Sequence, residues 1–231
     1  LAIVSVGVII PAAGMGKRMG TAEKKQFLHF QNKPVFIHTL QVFEEQQQVE
    51  EIVVVAHEAD VARKQEYVSC YEVKKVKCVV AGGKERQDSV YLGLQQIAAE
   101  WVLVHDAVRP FVKAKQIEAL LAEVVQYEAA ILAVPMKETV KRVDKAGMVV
   151  ETPDRQSLWS VQTPQAFRRD LLVSAHERVR GEELLVTDDA MLVEALGVDV
   201  RVVHGDYTNI KLTTPDDLAV ATAIWEGRKK S

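Results

Sequence analysis

A chain of 231 residues, 48% hydrophobic and 26% charged, has the balance of an ordinary soluble globular protein and can bury a substantial core. A net charge of −3, with one short basic cluster at Arg228-Lys229-Lys230, argues against a nucleic-acid platform or a membrane-surface binder. Two cysteines (Cys70 and Cys78) and six scattered histidines offer no metal-ligand spacing, so no zinc site is expected, and isolated thiols fit a reducing cytoplasmic setting.

The apolar opening, residues 1–10, has no basic flank and stops at Pro11, short of a membrane span; it reads as a strand, and residues 6–10 look buried on both faces. It runs into Pro11-Ala12-Ala13-Gly14-Met15-Gly16-Lys17-Arg18-Met19-Gly20, with Lys25 beyond. Small residues let backbone N–H groups approach a ligand, and Lys17, Arg18 and Lys25 suit a polyphosphate whose charge grows at the transferring phosphorus. A Walker A loop needs Gly-Lys-Ser/Thr, but Lys17 is followed by Arg18. A dinucleotide fingerprint needs G-x-G-x-x-G and an acidic residue about 20 positions on. Gly14, Gly16 and Gly20 are spaced G-x-G-x-x-x-G, and no Asp or Glu lies between Glu23 and Glu44. A nucleoside triphosphate is the expected partner.

Pro34 opens a helix to about Glu45, with Val35, Phe36, Leu40 and Phe43 on its apolar side. Ile52–Ala56 and Val76–Val80 read as strands. A second glycine-containing loop, residues 81–89, precedes a helix carrying Val90, Leu94, Ile97 and Ala98. The strand Trp101–His105 leads into Asp106-Ala107-Val108-Arg109-Pro110, then a strongly amphipathic helix with Ile117, Leu120, Leu121, Val124 and Val125, then a strand at Ala129–Val134. Strand–helix alternation of this kind predicts an α/β fold, a doubly wound, mostly parallel sheet. Residues 137–156 break the pattern: a polar stretch turning at Ala146-Gly147 between two β-rich runs reads as a protruding β-arm. Helices are then expected from about Arg168 and after Thr187-Asp188-Asp189, a strand at Val198–Val203, and a last helix capped by Thr214-Pro215-Asp216-Asp217. No repeat or linker divides the chain, so residues 1–231 read as one domain with an arm.

In open parallel sheets ligands bind beyond the C-terminal strand ends. Four polar clusters fall there: the loops at 11–25 and 81–89, Asp106–Arg109, and Asn209–Lys211. A carboxylate such as Asp106 closing a buried strand needs neutralisation, by Mg2+ or another divalent cation on a triphosphate, or by pairing with Arg109. His105 reads as a packed core histidine. No nucleophile–base set stands out, which suits a second substrate whose phosphate is already ionised and needs no general base.

Read together, PAAGMGKRM with Lys25, AGGKERQDSV, VHDAVRPF, PMKETVKRV, LWSVQTPQAF, VTDDA and NIKLTTPDDL resemble the 2-C-methyl-D-erythritol 4-phosphate cytidylyltransferase family, in order over nearly the whole chain. The resemblance implies a nucleotidyltransferase fold and transfer of CMP from CTP to a sugar-alcohol phosphate in non-mevalonate isoprenoid synthesis. It places transition-state cations on Arg18 and Lys25, and the metal carboxylate on Asp106. Nucleotide contacts fall on Ala12, Ala13, Gly14, Gly16, Gly83, Ser89, Ala107 and Arg109, and acceptor contacts on Thr139, Arg155, Thr187 and Lys211. It further implies a homodimer in which each arm, about 137–156, reaches the partner's site. Two positions depart from the pattern: Thr208 stands where some relatives carry an acid, and Lys84 where the family often has Asp. Ribitol 5-phosphate cytidylyltransferases share most of these motifs. A non-catalytic nucleotide sensor would have no need of Lys25.

Overall fold

The computed structural model describes residues 5–14, 27–179 and 186–229. The first strand, β1 (Val6–Ala12), is buried along almost its whole length. Val8 and Ile10 point into one core layer and Ile9 into the other, the double burial expected of a central parallel strand. A two-stranded ribbon, β2 (His29–Phe30) and β3 (Lys33–Pro34), leads to helix α1 (Val35–Glu44), whose Phe36, Leu40 and Phe43 cover the first layer. Next come β4 (Val49–Ala56), α2 (Val61–Cys70), β5 (Val76–Ala81) and α3 (Arg86–Leu94). Strand β6 (Trp101–Val104), helix α4 (Ala114–Tyr127) and strand β7 (Ala129–Pro135) follow as expected. Helix α3 begins four residues earlier than its apolar run, because Glu85 and Asp88 form a reciprocal capping box at its start.

The arm is a short antiparallel pair, β8 (Arg142–Val143) and β9 (Val149–Glu151), exposed throughout. Gly147 takes a left-handed φ of +81° at its turn, and Asp144 accepts the backbone N–H groups of Ala146 and Met148. The chain then enters β10 (Trp159–Arg168), a strand not foreseen from the sequence. It lies antiparallel between β6 and β7, giving the order β11-β7-β10-β6-β1-β4-β5, with β11 (Arg201–His204) parallel to β7. Pro164 is tolerated in this central position because pairing with β7 breaks between Val161 and Gln165, where no ladder N–H is needed. Helices α5 (Arg169–Val179), α6 (Ala190–Glu194) and α7 (Pro215–Lys229) complete the described elements.

Two consequences position the site. Ala12, Ala56 and Ala81 are in register, so β1, β4 and β5 end level. Because β10 runs the other way, its Gln162, Thr163 and Gln165 arrive at the edge where β6 and β7 finish, beside Asp106.

Candidate active site

A cavity of about 510 Å³ opens over the level ends of β1, β4 and β5, bordered by Ala13, Gly14, Gly83, Ser89, Asp106 and Ala107, with His57, Lys84, Arg86 and Lys211 also on its wall. Ser89 shapes the glycine loop from within. Its hydroxyl accepts the Gly83 N–H at 3.2 Å and donates to the Glu85 carbonyl at 3.1 Å. The loop has no room for side chains at its bend: a Cβ on Gly83 would sit 2.3 Å from the Asp88 Cβ.

Asp106 is the electrostatic centre. It is 7% exposed, and its Oδ2 lies 3.0 Å from both Arg109 Nε and Lys211 Nζ. Burial opposes ionisation of this carboxyl, but Lys211, then Arg109 and Arg86, prevail and hold it far below the usual carboxylate range. Arg109 also donates from Nη1 to the Asn209 carbonyl at 2.7 Å, which ties the Asn-Ile-Lys turn to the strand end. Arg86 is aimed by Asp189, a 2.7 Å pair whose carboxylate is 1% exposed. Burial works against the Arg86 charge, and Asp189, with Asp106 and Asp188 behind it, more than offsets that.

The pairing of Asp106 with Arg109 and its use as a metal ligand are compatible. Both cations sit on Oδ2, and Oδ1 has no hydrogen-bond partner among the described residues. Nor do the described residues contain a cluster of three or more His, Cys, Asp or Glu able to cage a metal. A lone carboxylate suits a hard cation that brings phosphate oxygens and waters as its other ligands.

His105 is wholly buried against Phe43, with ring centroids 4.9 Å apart. The Arg109 carbonyl, 3.0 Å from Nε2, can only accept, so Nε2 carries the proton. Nδ1 then accepts from the Thr163 hydroxyl, which in turn accepts the Asp106 N–H. Burial pushes this imidazole down to about 4 from 6.5. An unfolded chain therefore takes up a proton below pH 6.5 that the folded protein refuses until about pH 4. This contribution is complete above pH 6.5 and lost on acidification; about 3 kcal/mol of stability should disappear between pH 7 and pH 4. His38 and His176, also lowered chiefly by burial, act in the same direction. Urea melts across that range check the slope, which His105→Gln should flatten.

A second cavity of about 500 Å³ adjoins the first at Lys211, which borders both, and is lined by Arg109, Lys137, Glu138, Gln162 and Tyr207. Lys137 lies over the Tyr207 ring at 3.5 Å. Of the residues singled out in the sequence, Ala13, Gly14, Gly83, Ser89, Asp106, Ala107 and Lys211 meet at the first cavity. Arg109 borders the second cavity and pairs with Asp106 of the first, and Ala12 is buried at the strand end. Gly16, Arg18 and Lys25 lie outside the described residues. Thr139, Arg155 and Thr187 are exposed and border neither cavity within the chain; Arg155 donates to the Lys137 carbonyl at 2.9 Å. The sequence alone does not single out Arg86 or His57. Arg86 sits in the second glycine loop, where its charge was the available signal, but its partner Asp189 is far along the chain.

Comparison with known proteins places these features in a family. The family model described as IspD, 2-C-methyl-D-erythritol 4-phosphate cytidylyltransferase, matches residues 6–227. A protein of that name from Halalkalibacterium halodurans is 48% identical over 218 residues, covering 94% of this chain and 95% of its own. One from Alkaliphilus metalliredigens is 47% identical, covering 97% and 94%. Among solved structures, the 4-diphosphocytidyl-2C-methyl-D-erythritol synthase of Anaerococcus prevotii superposes with a TM-score of 0.85 at 31% identity, covering 97% of this chain and 99% of its own. The Thermus thermophilus cytidylyltransferase superposes at 0.76 with 31% identity, covering 95% and 98%. The chain belongs to the 2-C-methyl-D-erythritol 4-phosphate cytidylyltransferase family.

Proposed function

We propose that the first cavity receives CTP and the second the phosphate end of 2-C-methyl-D-erythritol 4-phosphate. The acceptor's phosphate oxygen attacks the α-phosphorus of CTP, the bond to the β-phosphate breaks, pyrophosphate leaves, and 4-diphosphocytidyl-2-C-methyl-D-erythritol forms. The observation that carries this reading is Lys211, shared by two adjoining cavities and held 3.0 Å from Asp106 where they meet. The attacking phosphate carries most of its second negative charge at neutral pH, so positioning and charge neutralisation carry the catalysis. Asp106 would hold a divalent cation, Mg2+ in the simplest case, and that ion supplies positive charge against the phosphates. Lys211 and Arg109 add fixed cations, with Arg18 and Lys25 from the first loop at the transferring phosphorus.

Ala13, Gly14, Gly83 and Ala107 let the nucleoside lie against the backbone. Thr139 and Arg155 fit an acceptor contact made across a homodimer. The arm is exposed on every residue of its strands, Val149 at 59% among them, and Met148 in its turn is 67% exposed, apolar surface that a second copy would cover. A cytoplasmic setting suits the unpaired Cys70 and Cys78, and no helix among the described residues is long and apolar enough to cross a membrane.

Pyrophosphate release by the purified protein tests the reading. It should require CTP, a divalent cation and methylerythritol phosphate together. Equal turnover with ATP, or a preference for ribitol 5-phosphate, would overturn it. Lys25→Ala and Arg18→Ala should each cut kcat on the order of a hundredfold with little change in KM, since their charge matters most at the transition state.

A further inference from the structure

Asp106 and its cations account for charge neutralisation in the first cavity, and His57 also borders it. Ala56, the last residue of β4, pairs with Ala12 on one side and Ala81 on the other, and its carbonyl accepts the Gly82 N–H at 2.7 Å. Ala13, His57 and Gly82 are therefore the next residues along three neighbouring strands. The line is tight, since a Cβ on Gly82 would come within 3.0 Å of the Ala13 Cβ. His57 is exposed and borders the cavity beside the loop that Ser89 shapes. Its Nδ1 accepts the Ala59 N–H at 3.3 Å, capping the short turn Glu58–Asp60. A neutral imidazole that accepts through one nitrogen carries its proton on the other, so Nε2–H is a donor. The Ser89 hydroxyl cannot play that part, because its one proton is committed to the Glu85 carbonyl.

We propose that His57 is a further binding contact for the base of the donor nucleotide, its Nε2–H donating to a ring acceptor of cytosine. This rests on the assignment of CTP to the first cavity and adds a residue to its recognition.

Two variants separate recognition from capping. His57→Ser keeps a good capping oxygen but is too short to reach the base, whereas His57→Ala loses both. One neutral hydrogen bond is worth about a two- to tenfold change in affinity. Both variants should raise KM for CTP, and its dissociation constant by calorimetry, about fivefold. Turnover number and acceptor KM should stay within about a factor of two, and His57→Ala alone should melt lower. Unchanged CTP affinity in a folded His57→Ser protein would overturn the proposal and leave His57 as a cap. So would a fall in kcat at constant KM. Wild-type turnover with CTP, measured alongside, keeps the two readings apart: intact CTP turnover with unaltered variants defeats the role of His57 alone, while absent CTP turnover defeats both.

Discussion

Replacing Asp106 by Asn is expected to lower kcat on the order of a thousandfold, the upper end of what one preorganised electrostatic group supplies to a transition state. The amide keeps the shape of the carboxylate and removes its charge, leaving Lys211 and Arg109 without the anion that both touch at 3.0 Å. Stability should fall as well. A buried pair broken from one side costs about 3–5 kcal/mol, and partial exposure of the Lys211 side chain, 39%, brings the expected loss nearer to about 2 kcal/mol. Lys211→Met supplies the contrast, because it relieves one cation and leaves Asp106 paired with Arg109. If Asp106 only neutralised its neighbours, Asp106→Asn would melt lower yet keep metal-dependent turnover within about tenfold of wild type. Loss of both turnover and response to Mg2+, in a protein that still unfolds cooperatively, is the outcome that assigns the carboxylate to the metal. A thermal melt and a Mg2+ titration of the same preparation decide it.

Asp106 could be found in the sequence because a charged residue closing the run Trp101–Val104 is conspicuous, and β1, β4 and β6 were legible for the same reason: β-branched residues in short unbroken blocks. Strand β10 was hidden by the residues that make it useful. Gln162, Thr163, Pro164 and Gln165 argue against a buried central strand, yet three of them bind loops distant in sequence. Thr163 holds the Asp106 N–H, Gln165 accepts from the N–H groups of Asp189 and Ala190, and Asn209 donates to the Thr163 carbonyl. Each polar group is satisfied only after the chain has folded, so no local pattern announces it. Helix α2 is hidden in the sequence for a related reason. Its wholly buried Lys64 lies over the rings of Phe27 and Phe36, at 4.1 and 4.5 Å, and a lysine at a core position spoils the apolar period. Arg86 belongs with these cases: what makes it part of the site is Asp189, which only the fold brings near.

The arm leads to a result that no single-chain account reproduces. Thr139 and Arg155 border neither cavity of their own chain, and Arg155 rests on the Lys137 carbonyl at the arm's base. If they serve the acceptor, as we propose, they do so in a second copy, where each arm completes the other subunit's site. Lys25→Ala and Arg155→Ala should then each be nearly inactive as homodimers. In a mixed dimer, the chain carrying Arg155→Ala has an intact body, and the chain carrying Lys25→Ala lends it an intact arm, so one of the two sites is whole. With random pairing, half of the dimers are mixed and activity should return to about a quarter of wild type. Purified through separate tags, mixed dimers should reach about half. An arm that acted within its own chain would leave each subunit of the mixed dimer with one defect, and the preparation would stay as inactive as its parents. Recovery also has to depend on dimer formation, so diluting the mixture below its dissociation constant should abolish the restored activity. Persistence of full recovery in a monomer would remove the second subunit from the site.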